Sequence, residues 1–221
     1  RKYEQHVLNM EFEALGHRIV SISGYSDSHI DFDQDFDREG VDPERVDVFR
    51  AVDRARTTQE LRFESIDGGD LDYMVGIYYL DSKYHRDIAV PRFGLQFLDD
   101  SAQKQHGVFS FIGYQFNDKW RVQSGLRWQE YKDFRETTTI EEGVTGSTQL
   151  SYQFSSDVMG YLSYQRGFRA GGQVTSSSRE TLVGLGVATA DQYTYSSEIS
   201  DNFELGIKST LNDGKFQFNL S

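Results

Sequence analysis

The stretch "YQRGFRAGG" brings Tyr164, Arg166, Phe168 and Arg169 close together in the chain. A guanidinium presents its N–H donors as a rigid planar fork, which suits ligands bearing carboxylate or catecholate groups. The same two arginines could instead neutralise phosphate or pair with acids such as Glu204, and the glycines allow a sharp bend. Arg127 is a further anion-binding candidate. With Glu130 and Lys132 nearby, its alternative role is a structural salt bridge.

Other constellations are weaker. In "HIDFDQDFDREGVDPERVD", Asp35, Asp37, Glu39 and Gly40 mimic positions one, three, five and six of an EF-hand loop, but Val46 stands where a bidentate Glu is needed. The stretch reads as a solvated acidic loop, and no metal site is expected. His6, His17, His29, His85 and His106 are scattered, without an H-E-x-x-H pattern. His29 with Asp31 and Asp33 is the one local acid and histidine group that a hydrolase could use. No G-x-S-x-G, P-loop or Rossmann fingerprint occurs, so neither an enzyme nor a cofactor is expected.

The elements that position these residues read as strands. The 221 residues are 37% hydrophobic and 14% aromatic, with a formal net charge of -12. That charge disfavours a nucleic-acid partner, which wants stripes of Lys and Arg. No run reaches the roughly 18 apolar residues of a helical span. A transmembrane barrel stays open, because each of its strands needs only about ten alternating residues. The chain has no cysteine, which excludes disulfides and thiolate metal sites.

Alternation and turn residues predict ten strands, at 5–15, 18–27, 58–66, 71–80, 105–116, 120–133, 147–154, 158–168, 201–211 and 215–221. They fall in pairs joined by tight turns, with long connections over 28–57, 81–104, 134–146 and 169–200. Such alternation of short and long connections fits an up-and-down meander whose short turns all lie at one end. In "NDKWRVQSGLRW", Trp120, Val122, Ser124, Leu126 and Trp128 share one face, while Arg121, Gln123, Gly125 and Arg127 share the other. Trp120 and Trp128 are eight steps apart, about 27 Å of strand and roughly 20 Å of height at a tilt near 40°. They are expected, with Tyr73 and Tyr79, at the two aromatic girdles of an apolar band. The opposite faces carry Glu, Lys, Arg and Gln, which suit a wet lumen and would be costly in a dry core.

Four stretches then carry a family resemblance: "QELRFESIDGGDLDYMVGIYYLDSKY" (59–84), "GVFSFIGYQFNDKWRVQSGLRWQEYK" (107–132), "VMGYLSYQRGFRAGG" (158–172) and "SDNFELGIKSTLNDGKFQFNLS" (200–221). Their order and spacing resemble the middle barrel strands of TonB-dependent outer-membrane receptors. The resemblance implies an all-β, antiparallel up-and-down transmembrane barrel of 22 strands, of which about ten are present. Residues 1–221 would be an internal portion, with the plug and the C-terminal strands absent.

It further implies residence in the bacterial outer membrane, among lipid and lipopolysaccharide, and active uptake energised by TonB acting through the absent plug. An iron-siderophore is the expected ligand. A passive porin-like channel and a soluble β-rich binding module are the other readings carried forward.

Overall fold

The computed structural model describes residues 1–35, 46–66, 69–135, 138–174, 182–187, 189, 194–212 and 214–221. Ten strands form one antiparallel sheet. They are β1 (Lys2–Ala14), β2 (His17–Asp35), β3 (Asp47–Ser65), β4 (Leu71–Val90), β5 (Leu95–Gln115), β6 (Trp120–Phe134), β7 (Thr138–Ser155), β8 (Val158–Arg169), β11 (Glu198–Leu211) and β12 (Phe216–Leu220). Each pairs with its neighbour in chain order, except that β8 passes over β9 (Gly172–Gln173) and β10 (Thr194–Tyr195) to reach β11; β9 and β10 pair with one another. Strands β1 and β12 are the sheet's two edges. No described helix is long and apolar enough to cross a membrane.

The tight turns lie at one end, as expected. Between β1 and β2 the last pair is Ala14 with His17, and Leu15 (φ 54°) and Gly16 (φ 75°) form the corner. Two positive φ values in a two-residue loop match the twist of the flanking strands.

The other end differs from expectation. Segments 28–57 and 81–104 were expected as loops, yet most of them is strand. β2 and β3 stay paired to Asp35 and Asp47, and β4 and β5 to Val90 and Leu95. A single 3-10 turn, Pro91–Phe93, closes the latter hairpin with Gly94 at φ 61°. Likewise β7 begins at Thr138 within the connection expected over 134–146. Beyond the apolar band both faces meet water, so alternation fades from the sequence. Ladder hydrogen bonds are main-chain bonds and continue without it. The asymmetry between the two ends is therefore mainly a strand overhang.

Among the described residues no second layer covers this sheet. Among the described residues Val48 is the one buried hydrophobic side chain. Residues directly opposite one another in antiparallel pairs share a face, and register assigns the two faces. One row runs Phe12, Ile19, Phe63, Val75, Ser110 and Leu126; the next runs Met10, Ser21, Leu61, Ile77, Val108 and Trp128. Their large apolar members are mostly exposed, as in Met10, Phe12, Ile77 and Leu126. An aromatic group closes the turn end: Trp120 packs on Tyr152 (centroids 4.6 Å), Tyr152 on Phe154 (4.9 Å) and Tyr114 on Phe116 (4.9 Å).

The other face is polar and internally paired. Arg121 meets Asp72, Arg62 meets Glu60, and Arg18 meets Glu64 at 3.1 Å. Tyr161 donates to Glu204, and Gln105 Nε2 donates to Gln129 Oε1 at 3.1 Å. An apolar exterior opposite a hydrogen-bonded polar face is what lipid outside and water inside select.

A candidate ligand-binding cleft

Beyond the apolar band, the polar face carries a cluster of arginines and tyrosines. Period-two spacing in "RAVDRAR" places Arg50, Arg54 and Arg56 on the polar face of β3. Arg86 follows on β4, and Asp133 and Arg135 lie at the end of β6. Arg54, Arg56, Tyr84, Arg86, Asp99 and Arg135 line a cleft of about 300 Å³. A second cleft of about 300 Å³ shares Arg135 and adds Tyr131, Glu141, Phe168, Arg169 and Tyr195.

The electrostatics are only partly internal. Arg86 Nη2 donates to Asp99 Oδ2 at 2.8 Å, and Arg135 Nε lies 3.4 Å from Asp133 Oδ2. Arg135 Nη1 also donates to the Gln173 carbonyl at 3.0 Å, tying β6 to β9. Arg54 sits over the Tyr84 ring, 5.4 Å from its centroid. Burial pushes the Asp133 carboxyl above its usual value, against the opposing pull of Arg135. Among the described residues, the buried side-chain N and O atoms without a hydrogen-bond partner are Arg86 Nε, Asp133 Oδ1 and Arg135 Nε. All three belong to this cluster. Buried polar atoms are normally satisfied, so their convergence marks a place built for a polar visitor or water.

The structure separates the residues singled out in the sequence. Phe168 and Arg169 line the second cleft, and the Phe168 ring lies over Gly143 on the polar face. Arg127 is also on the polar face but deeper, over Tyr78 (5.2 Å) and donating to Gln129 Oε1 at 3.0 Å. Arg166 and Tyr164 lie elsewhere. Arg166 stands opposite Gly146 and Asp201, in the row of Leu126, and its fork grips Asp201 at 2.8 and 2.9 Å. Tyr164 packs on Phe203 in the adjacent row (4.8 Å). Both therefore share the apolar face. The acids taken by the arginines are Asp201 and, for Arg169, Glu198 at 3.5 Å, whereas Glu204 accepts from Tyr161.

The girdle candidates Tyr73, Tyr79, Trp120 and Trp128 all lie on the apolar face by register. Tyr73 is held through its hydroxyl by His17 Nε2 at 2.5 Å. The calcium-like stretch falls mostly on 36–45, outside the described residues. Among the described residues no group of His, Asp or Glu is placed to hold a metal ion. His29 does meet Asp31, and it also meets Asp53; Asp33 pairs in register with Phe49. The cleft arginines of β3 escape sequence reasoning because 50–56 lacks the alternation of a strand with one apolar face; their shared parity is the signal that finds them.

A sheet with an apolar exterior, a wet interior, tight turns at one end and an overhang at the other is one wall of an outer-membrane barrel. Residues 3–221 match the family described as "TonB dependent receptor-like, beta-barrel". The chain belongs to the TonB-dependent receptor β-barrel family. That membership places it in the bacterial outer membrane.

Solved structures agree in fold. The ferric yersiniabactin uptake receptor FyuA from Yersinia pestis superposes with a TM-score of 0.68 at 16% identity, covering 94% of this chain and 33% of that one. BauA, the ferric preacinetobactin receptor from Acinetobacter baumannii, gives 0.73 at 13% identity, covering 98% and 36%. The copper transporter OprC gives 0.70 at 14% identity, covering 94% and 36%. The chain thus spans about a third of each of these structures. No curated protein sequence matches it.

Proposed function

We propose that residues 1–221 supply ten strands of a larger receptor barrel, completed by a plug and further strands outside this sequence. The whole receptor takes up a scarce anionic ligand, an iron-siderophore, with energy delivered by TonB through the plug. Capture occurs on the polar face of the overhang, where Arg54, Arg56, Arg86 and Arg135 line one cleft beside Tyr84, and Arg135 and Tyr131 line the next. The observation that carries this reading is that Arg86 Nε, Asp133 Oδ1 and Arg135 Nε, set along the two clefts that share Arg135, are buried without a hydrogen-bond partner. Arginine forks suit carboxylate and catecholate oxygens, and tyrosine faces suit aromatic rings.

Arg169 and Phe168 extend the same grip. Tyr164 and Arg166, on the outer face, meet lipopolysaccharide, and Tyr73, Tyr79, Trp120 and Trp128 sit at the lipid interfaces. The reaction is binding and translocation, with no covalent step. FyuA and BauA are named for ferric ligands and OprC for copper, so the fold leaves the ligand open and the cleft chemistry favours an anion.

Radio-iron uptake by iron-limited cells making the full-length receptor tests this, with ferric citrate, a ferric catecholate and a ferric hydroxamate as probes. Saturable uptake of one probe that needs TonB and falls at least tenfold in Arg54→Ala/Arg56→Ala supports the proposal. Non-saturating uptake that is indifferent to TonB would favour a passive channel.

A further inference from the structure

On the apolar-band side of the sheet, but well beyond the band, one register row crosses four strands as His29, Asp53, His85 and Asp100. Histidine and carboxylate alternate strand by strand. His85 lies six residues past Tyr79, about 20 Å further along β4. His29 Nδ1 is 2.6 Å from Asp53 Oδ1 and its Nε2 is 3.0 Å from Asp31 Oδ2. His85 Nδ1 is 2.6 Å from Asp100 Oδ1.

The His29 geometry favours the charged ring. A neutral imidazole has one N–H and one lone pair, and a carboxylate only accepts. With a carboxylate oxygen on each nitrogen, the ring is satisfied only when both nitrogens donate, as an imidazolium. Hydrogen bonding to Asp53 raises His29 above its ordinary value, with Asp31 adding to it, and bonding to Asp100 does the same for His85.

The surroundings are acidic. Lys2 faces His29 from β1, Asp27 and Asp31 flank it on β2, and Asp53 faces it from β3. His85 is faced by Asp53 from β3 and Asp100 from β5, with Lys83 and Asp87 flanking it on β4. With both rings neutral, five carboxylates stand against two lysines. With both rings charged, two further cations lie between the strands.

We infer that the His29, Asp53, His85 and Asp100 row is an acid-closed fastener for the β2–β5 overhang, holding its strands together when both rings are charged and loosening them when the rings lose their protons. The sign follows from linkage. A histidine whose value is raised by folding stabilises the fold fully in acid, and that stabilisation is lost as pH rises through the raised folded-state value. Arg54, Arg56 and Arg86 project from the opposite face of the same strands, so the fastener also sets how firmly the cleft wall is held. Order in the overhang responds to pH in this way whatever ligand the cleft takes.

The test uses the full-length receptor in detergent, without ligand. Histidine long-range proton–nitrogen spectra are expected to show His29 still predominantly doubly protonated at about pH 6.5, the ordinary imidazole value. Amide exchange, corrected for intrinsic rate, is expected to lose about tenfold protection at residues 26–31 and 50–55 between about pH 6 and pH 8, while amides at Leu126 to Trp128 hold. His29→Gln with His85→Gln should flatten that dependence, whereas Lys83→Gln, next to the row, should leave it in place. A singly protonated His29 at about pH 6.5, or the same pH dependence in the double variant, would overturn the inference.

Discussion

Arg86 and Asp99 face one another in register across β4 and β5, and the guanidinium donates to the carboxylate at 2.8 Å on the polar face of the overhang. The pair leaves Arg86 Nε buried without a partner, so the arginine is held in place but not used up. Asp99 thereby orients a donor and at the same time opposes any anion that approaches it. Arg86→Ala is expected to weaken binding of the anionic probe that the receptor transports by about tenfold or more, the worth of one charge-assisted contact. Asp99→Asn should keep the geometry, remove a negative charge and tighten binding several-fold. Equilibrium titration of full-length receptor followed by tryptophan fluorescence checks both, and a loss of binding in Asp99→Asn would argue against an anionic ligand.

Face assignment makes a second expectation. Leu126 and Gln123 are three residues apart on β6, yet register puts Leu126 in the apolar row with Val75 and Phe63 and Gln123 opposite Gly113 and Gln149. An arginine in the lipid-facing band costs about 2–4 kcal/mol near the midplane, whereas a lumen position tolerates it. Leu126→Arg, between the midplane and the Trp128 girdle, should therefore lower unfolding stability in lipid vesicles by about 1–3 kcal/mol, and Gln123→Arg by much less. Reversible urea unfolding measures the difference; equal costs would mean that the sheet does not face lipid as assigned.

The band was legible in the sequence because lipid on one side and water on the other impose a period of two. Trp120 to Trp128 show this, as do Leu71 to Tyr79, and their strands lie where alternation put them. "DSKYHRDIAV" was illegible as strand for the opposite reason: with water on both faces, Asp81, Tyr84, Arg86 and Ile88 follow no single rule, and the main chain alone carries the pairing to Val90. The cleft suffered from the same blindness, since Arg54 and Arg56 fell in a presumed loop. Arg166 shows a different limit: residue type gives its chemistry, whereas its face follows from the parity it shares with Tyr164 and Leu162 on the apolar side.

Close packing on the polar face yields a third expectation. A Cβ at Gly76 would lie 2.3 Å from the Phe109 ring, which stands opposite it on β5, and 3.0 Å from the Leu61 carbonyl. The ring occupies the space a side chain would need, and Arg127 lies over that ring at 6.0 Å. Gly76→Ala is expected to destabilise the barrel by about 1–3 kcal/mol through overpacking. Combining it with Phe109→Leu should recover part of that loss. Heat-modifiable gel mobility of the full-length receptor reports both, and an unaffected Gly76→Ala would show that the ring moves freely.

The corner between β1 and β2 yields a last expectation, from backbone conformation alone. Leu15 holds φ 54°, a region where a Cβ crowds the backbone, and its side chain is 96% exposed, so no packing compensates. Asn and Gly adopt that region far more readily, and Asn followed by Gly is the favoured pair for such a corner. Leu15→Asn, which creates Asn-Gly with Gly16, should therefore stabilise the hairpin by about 0.5–1 kcal/mol. Leu15→Val should do the reverse, because a β-branched residue is worse still at positive φ. Amide exchange at Phe12 to Ile19 in the two variants reads the effect locally, and matching protection would show that the corner carries no strain.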